Sequence, residues 1–131
     1  MKAVTPGTIA PPFATYSHGI ICEPMRLLTI SGQLGLTEGG RVPEGAQAQA
    51  QICFHSIDHI LAEAGMDRRH ILRLNAYVTD RSHMPGYMEA RDAWLHGIAP
   101  PPASTLMIVS GFTRPEFVVE IEALAAQEND R

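Results

Sequence analysis

Glu120 and Glu122 stand two residues apart in an alternating apolar segment, so both carboxylates point to one face of a strand. Two acids on one face can divide into a general acid and a general base if their surroundings push their pKa values apart. A glutamate beside a partly dry cleft can take a proton from water and later return it, because burial raises its pKa toward useful values. Arg91 lies inside an apolar stripe of Met84, Tyr87, Met88 and Leu95 at helical spacing. A guanidinium in such a place needs a partner, because an unpaired buried charge is costly. It snorkels to water, forms a structural ion pair, or supplies a cation to a cleft. His18 follows Tyr16 by two residues, shares its face, and is placed to line the same cleft.

Other reactive residues carry less. His55 and His59 have the i, i+4 spacing of a metal pair. They lie opposite Cys53, Ile57 and Ile60 on their helix, without an obvious third ligand, so no metal is expected. Cys22 and Cys53 form no C-x-x-C arrangement, and no base accompanies either; both read as packing thiols in a reducing compartment. Gly39-Gly40 is a turn, lacking the spacing and the lysine of a phosphate cradle.

These residues are positioned by a β-β-α-β-α-β-β order. Residues 1–12 read as an arm, since Pro6, Gly7, Pro11 and Pro12 forbid a helix and break any strand. Residues 13–22 and 26–31 read as two strands of a hairpin turned at Glu23-Pro24. Over 44–64, Ala46, Ala50, Cys53, Ile57, Ile60, Leu61 and Ala64 make one apolar helical face, stopped at Gly65. Residues 71–79 alternate as a strand. Asp80 or Ser82 caps a second helix at 84–96 with Pro85 in its first turn. Strands at 104–110 and 117–125 complete an α+β fold with both helices on one face of a mixed sheet. The last strand is apolar on both sides, and the uncovered sheet face asks for a second subunit.

The chain has 131 residues, one domain's worth, with a 45% hydrophobic share and a net charge of −4. Its ten basic residues are scattered, which argues against a nucleic-acid partner. The first twelve residues have no signal-peptide core and no apolar run spans a membrane, so a cytoplasmic protein is expected.

Five segments then fall into a recognisable order: Ala14-Thr15-Tyr16-Ser17-His18-Gly19, Thr29-Ile30-Ser31-Gly32-Gln33, Asn75-Ala76-Tyr77-Val78-Thr79-Asp80, Pro102-Ala103-Ser104-Thr105 and Val119-Glu120-Ile121-Glu122-Ala123. Together they resemble the RidA (YjgF/YER057c/UK114) family over almost the whole chain. The resemblance implies a chorismate-mutase-like fold and a homotrimer around a central β-barrel, with small-molecule clefts between subunits. It implies hydrolysis of reactive enamines or imines to a keto acid and ammonia, without metal or organic cofactor. By the same resemblance Glu120, Ser31 and Tyr16 are the catalytic set, and Gly32, Ser104, Thr105 and Met88 line the substrate pocket; His18 joins them by its place beside Tyr16 on the strand, and Arg91 by its place on the helix, as the cation that would replace a missing one. Family deaminases carry an arginine after the Pro-Ala pair, where this chain has Ser104; Leu106 and Met88 stand where cysteine and asparagine are common. The expected function is therefore a deaminase with altered specificity, or else a non-catalytic trimer that binds a metabolite.

Overall fold

The structure, a computed structural model, describes residues 1–128. Strand β1 (Lys2–Val4) pairs antiparallel with β2 (Gly19–Ile21) in a small sheet of their own. The main sheet holds β3 (Pro24–Leu34), β4 (Ile71–Val78), β5 (Ala103–Ile108) and β6 (Val119–Glu128) in the order β3-β6-β4-β5. Strand β6 is antiparallel to both neighbours, and β4 and β5 are parallel. Helices α1 (Ala46–Glu63) and α2 (Met84–Trp94) make the two crossovers. A parallel pair needs such a crossover, and α2 provides it between β4 and β5.

The helices begin and end where local chemistry dictates. Gly45, at φ 91, turns the chain into α1, and Gly65, at φ 72, turns it out again. Asp80 caps the short 3-10 turn Arg81–His83, which leads into α2; the helix itself has no side-chain cap. The apolar stripe of α1 buries Ala50, Cys53, Ile57 and Leu61 against Leu74, Ala76, Val119, Ile121 and Ala125 of the sheet. Phe54 joins the helices, with its ring 4.6 Å from Trp94 and 6.2 Å from Tyr87.

Among the described residues, none forms a layer over the opposite face of the sheet. It carries Thr29, Glu120, Glu122, Asn75, Tyr77, Thr105 and Met107 in register, and Leu27 on it is 62% exposed. The expected mixed sheet with two helices on one face is what the structure contains.

Two expectations at the N-terminus are corrected. The arm is not free of strand, since Lys2–Val4 pairs ahead of the first proline. The hairpin of 13–22 with 26–31 does not form: β3 pairs with β6 from Pro24 opposite Glu128 to Leu34 opposite Glu120. The reason is geometric. The eleven-residue β3 needs a partner of its own length, and the preceding segment is drawn off to the other edge of the sheet. There Ser17 donates its amide to Pro102 O and its hydroxyl to Pro101 O, and bridges to Ala103.

Candidate active site

At the β3–β6 pair the register slips between Ile30 and Gln33, so Ser31 and Gly32 together oppose Glu122. This is a β-bulge, a device that kinks a strand and re-aims its side chains. Gly32 lets the carboxylate approach closely: a Cβ there would lie 2.6 Å from Glu120 Cδ and 2.8 Å from its Oε2, so a larger residue would push the Glu120 side chain aside. The bare backbone of Gly32 thus forms one wall around the Glu120 carboxylate. The bulge is held from behind, where Cys53 Sγ donates to Gln33 O at 3.1 Å and Gln33 Nε2 returns to Ser31 O at 3.0 Å.

The two glutamates differ in environment. Glu122 accepts a hydrogen bond from the Tyr77 hydroxyl, which pushes the phenol upward. Glu120 is half-buried; burial first, and the Glu122 charge second, push its carboxyl above the ordinary glutamate value. Glu120 therefore has the perturbed carboxyl while Glu122 is committed to Tyr77. Burial, aided by the Glu120 charge, pushes the Cys53 thiol up to about 12, so it is a packing group that donates a hydrogen bond and no nucleophile.

The remaining expected residues gather at the opposite edge. Tyr16 and His18 flank the Ser17–Ala103 bridge, with their rings edge to face at 5.8 Å. His18 Nε2 lies 2.6 Å from Ala10 O, which ties it to the preceding loop. Ser104 is paired in register with Leu74, a core residue, so it faces the helix layer, where α2 places Tyr87, Met88 and Arg91. Thr105 points the other way and accepts from Arg73 Nη2, whose Nε donates to Asn75 Oδ1. Arg91 is buried, and its Nε donates to Asp92 Oδ1 at 3.0 Å.

The family described as Endoribonuclease L-PSP matches residues 8–127. A RutC family protein of Aquifex aeolicus is 31% identical over 117 residues, covering 88% of this chain and 91% of the relative. A Rid-family protein of unknown function from Yersinia pestis superposes with a TM-score of 0.85 at 27% identity, covering 96% of this chain and 98% of that one. The chain belongs to the RidA family. RidA from an Antarctic Psychrobacter is also similar, at 28% identity and a TM-score of 0.72, over 97% of this chain and 100% of that one.

Within this RidA-family chain the expected site splits in two. Ser31, Gly32 and Glu120 sit at the β3 edge and its neighbour β6. Tyr16, His18, Ser104 and Thr105 sit at the β5 edge, with Met88 and Arg91 on the adjoining helix. Glu120 and Ser104 also lie on opposite faces of the sheet, with β4 between their strands. The single chain does not bring them together. Sequence reasoning missed three participants. Cys53 looked like simple packing, yet it braces the bulge. Arg73 was hidden in a strand pattern. Tyr87 was counted as apolar, although its hydroxyl arrives beside Ser104. Among the described residues no group of three potential ligands could hold a metal ion, and no helix is long and apolar enough to cross a membrane.

Proposed function

We propose that this RidA-family protein hydrolyses a C=N or enamine bond of a small molecule and releases ammonia, with specificity altered at Ser104. The observation that carries the reading is the Glu120 carboxyl: half-buried, raised in pKa, walled by Gly32, and distinct from a Glu122 already taken by Tyr77. In the proposed step an enamine first tautomerises to the imine. Glu120 takes a proton from water as the oxygen bonds to the imine carbon and returns it to the nitrogen, giving a carbinolamine; it then takes the carbinolamine hydroxyl proton as the C=O bond forms and passes it to the nitrogen as the C–N bond breaks. The products are a carbonyl compound and ammonia. Ser31, on the bulge beside Gly32, orients water or substrate through its hydroxyl. Tyr16 and His18 enter from the other edge.

The split site fits a homotrimer in which the β5 edge of one subunit closes on the β3 edge of the next, with the uncovered sheet faces turned inward. Exposed Leu27 and Met107 on that face favour such burial. A protein of the same fold, TdcF from E. coli, has been solved with bound serine, in line with a small-molecule pocket. An acidic chain with scattered basic residues offers RNA no phosphate-binding groove.

The test is ammonia release from short-lived imines and enamines made in place, with and without an α-carboxylate, beside a Glu120→Gln control. Acceleration that falls at least about 100-fold in the control is expected. No acceleration on any of them would leave the second reading, a metabolite-binding trimer. That reading is favoured by one feature: the Arg91 side chain is paired with Asp92, and so does not simply replace the family arginine.

A further inference from the structure

Two hydrogen-bond donors are sealed beneath β5 without a well-formed hydrogen bond. Tyr87 is 0% exposed and Arg91 is 4% exposed, yet the Tyr87 hydroxyl and Arg91 Nη2 have no hydrogen-bond partner among the described residues. Unpaired buried donors are rare in folded proteins and mark a missing acceptor. The two are neighbours, one helical turn apart on α2, with the Arg91 guanidinium 5.7 Å from the Tyr87 ring centre. Ser104 and the Arg91 guanidinium both lie close enough to act on the phenol, without either completing a hydrogen bond to it, and Ser104 brings a second hydroxyl from the sheet edge. Burial, against the opposing pull of Arg91 and Ser104, pushes the phenol up to about 12, so it remains a donor at neutral pH.

The charge balance says what kind of acceptor is missing. Asp92 Oδ1 lies 3.0 Å from both Nε and Nη2 of Arg91, the second out of hydrogen-bond alignment. The guanidinium charge is thereby matched, and the cluster of Tyr87, Ser104, Arg91 and Asp92 sums to zero. A carboxylate placed against the buried Tyr87 and Arg91 would bring a second negative charge to a guanidinium whose charge the half-exposed Asp92 already meets. A neutral carbonyl oxygen has two lone pairs, accepts from Tyr87 and Arg91 together, and leaves the sum at zero. We infer that Tyr87, Arg91 and Ser104 form a subsite that receives a neutral carbonyl oxygen of the ligand, as in an amide, in preference to a carboxylate. This rests on the small-molecule site proposed at the β5 edge and specifies the class of compound that site takes.

Calorimetric titration with the matched pairs pyruvate and pyruvamide, and 2-oxobutanoate and 2-oxobutanamide, tests it. The wild-type protein should bind each amide roughly tenfold or more tightly than its acid. Tyr87→Phe and Arg91→Gln should each erase most of that preference, and Asp92→Asn, which frees the guanidinium charge, should shift it toward the acid. Equal or tighter binding of the acids by the wild type, or a preference that survives Tyr87→Phe, would overturn the inference. Tyr87→Phe is nearly isosteric, so it decides the matter even if Arg91→Gln does not fold. Ammonia release is followed separately. An amide preference lost in Tyr87→Phe without any ammonia release supports the subsite and removes the hydrolase. Ammonia release without an amide preference does the reverse.

Discussion

The protein buries two polar clusters, and they are built to opposite rules. Gln49, under the start of α1, is 1% exposed and fully used. Its amide donates to Pro43 O at 2.9 Å and Glu116 O at 2.8 Å, while its oxygen accepts from Val118 N at 3.0 Å. One side chain thus ties the loop after β3, α1 and the entry to β6. The cluster of Tyr87 and Arg91 is equally buried, but two of its donors are empty. A filled polar cluster fixes a fold, because every alternative arrangement strands a group. An unfilled one weakens the fold and is retained where something else supplies the acceptor. The contrast separates architecture from site without any appeal to what either residue type usually does.

Disrupting the filled cluster should have the larger effect. Gln49→Leu leaves Pro43 O, Glu116 O and Val118 N without their partner, and should cost about 3 kcal/mol. Thermal unfolding should show it as a fall of roughly 10 °C in Tm. A loss below 1 °C would mean that water replaces the amide and that the cluster is not a clamp. Gly35→Ala tests the same cluster by crowding. A Cβ there would lie 2.6 Å from Gln49 Cβ and 2.8 Å from its Cα, so about 2 kcal/mol of overpacking is expected. The empty cluster should behave otherwise. Tyr87→Phe removes a hydroxyl that bonds nothing, so stability should stay within about 1 kcal/mol of wild type or rise. A large loss by chemical denaturation would show that the hydroxyl is already satisfied, and would dissolve the comparison.

The sequence carried these two clusters unequally. Helix α1 was legible from its stripe of Ala50, Cys53, Ile57 and Leu61, but Gln49 falls one position before Ala50 and reads as a solvated residue until its three backbone partners arrive from distant segments. Arg91 was legible as an anomaly, because a charge in an apolar stripe demands a partner; that Asp92, the next residue, would supply it was not, since adjacent helical residues do not ordinarily face each other. The alternation of β6 distinguished the face carrying Glu120 and Glu122, while the bulge at Ser31-Gly32 needed the register of β3 against β6. The misread hairpin has the same origin. Local pattern finds strands; which strand pairs with which is settled by length and by long-range bonds such as Ser17 to Pro102.

Glu120 stands between the two extremes, half-buried and without a committed partner, and it gives the smallest and most directional test. Its folded pKa is raised, by burial and then by Glu122. The folded state therefore holds that proton more tightly than the unfolded chain does. The resulting stabilisation is present below the ordinary glutamate range and is lost as pH rises through the elevated folded value. At neutral pH the wild-type protein bears a charge that the site disfavours, so Glu120→Gln should unfold at the same temperature or slightly higher. At a pH of about 4 or below the advantage should shrink, because wild type then gains the proton that the variant never needed. Melting both proteins across this range reads the sign. If Glu120→Gln is instead less stable at neutral pH and the gap closes on acidification, the carboxylate is being stabilised as an anion. It would then belong with Gln49 among the structural polar groups, and the Glu120–Gly32 wall would be architecture in place of a site.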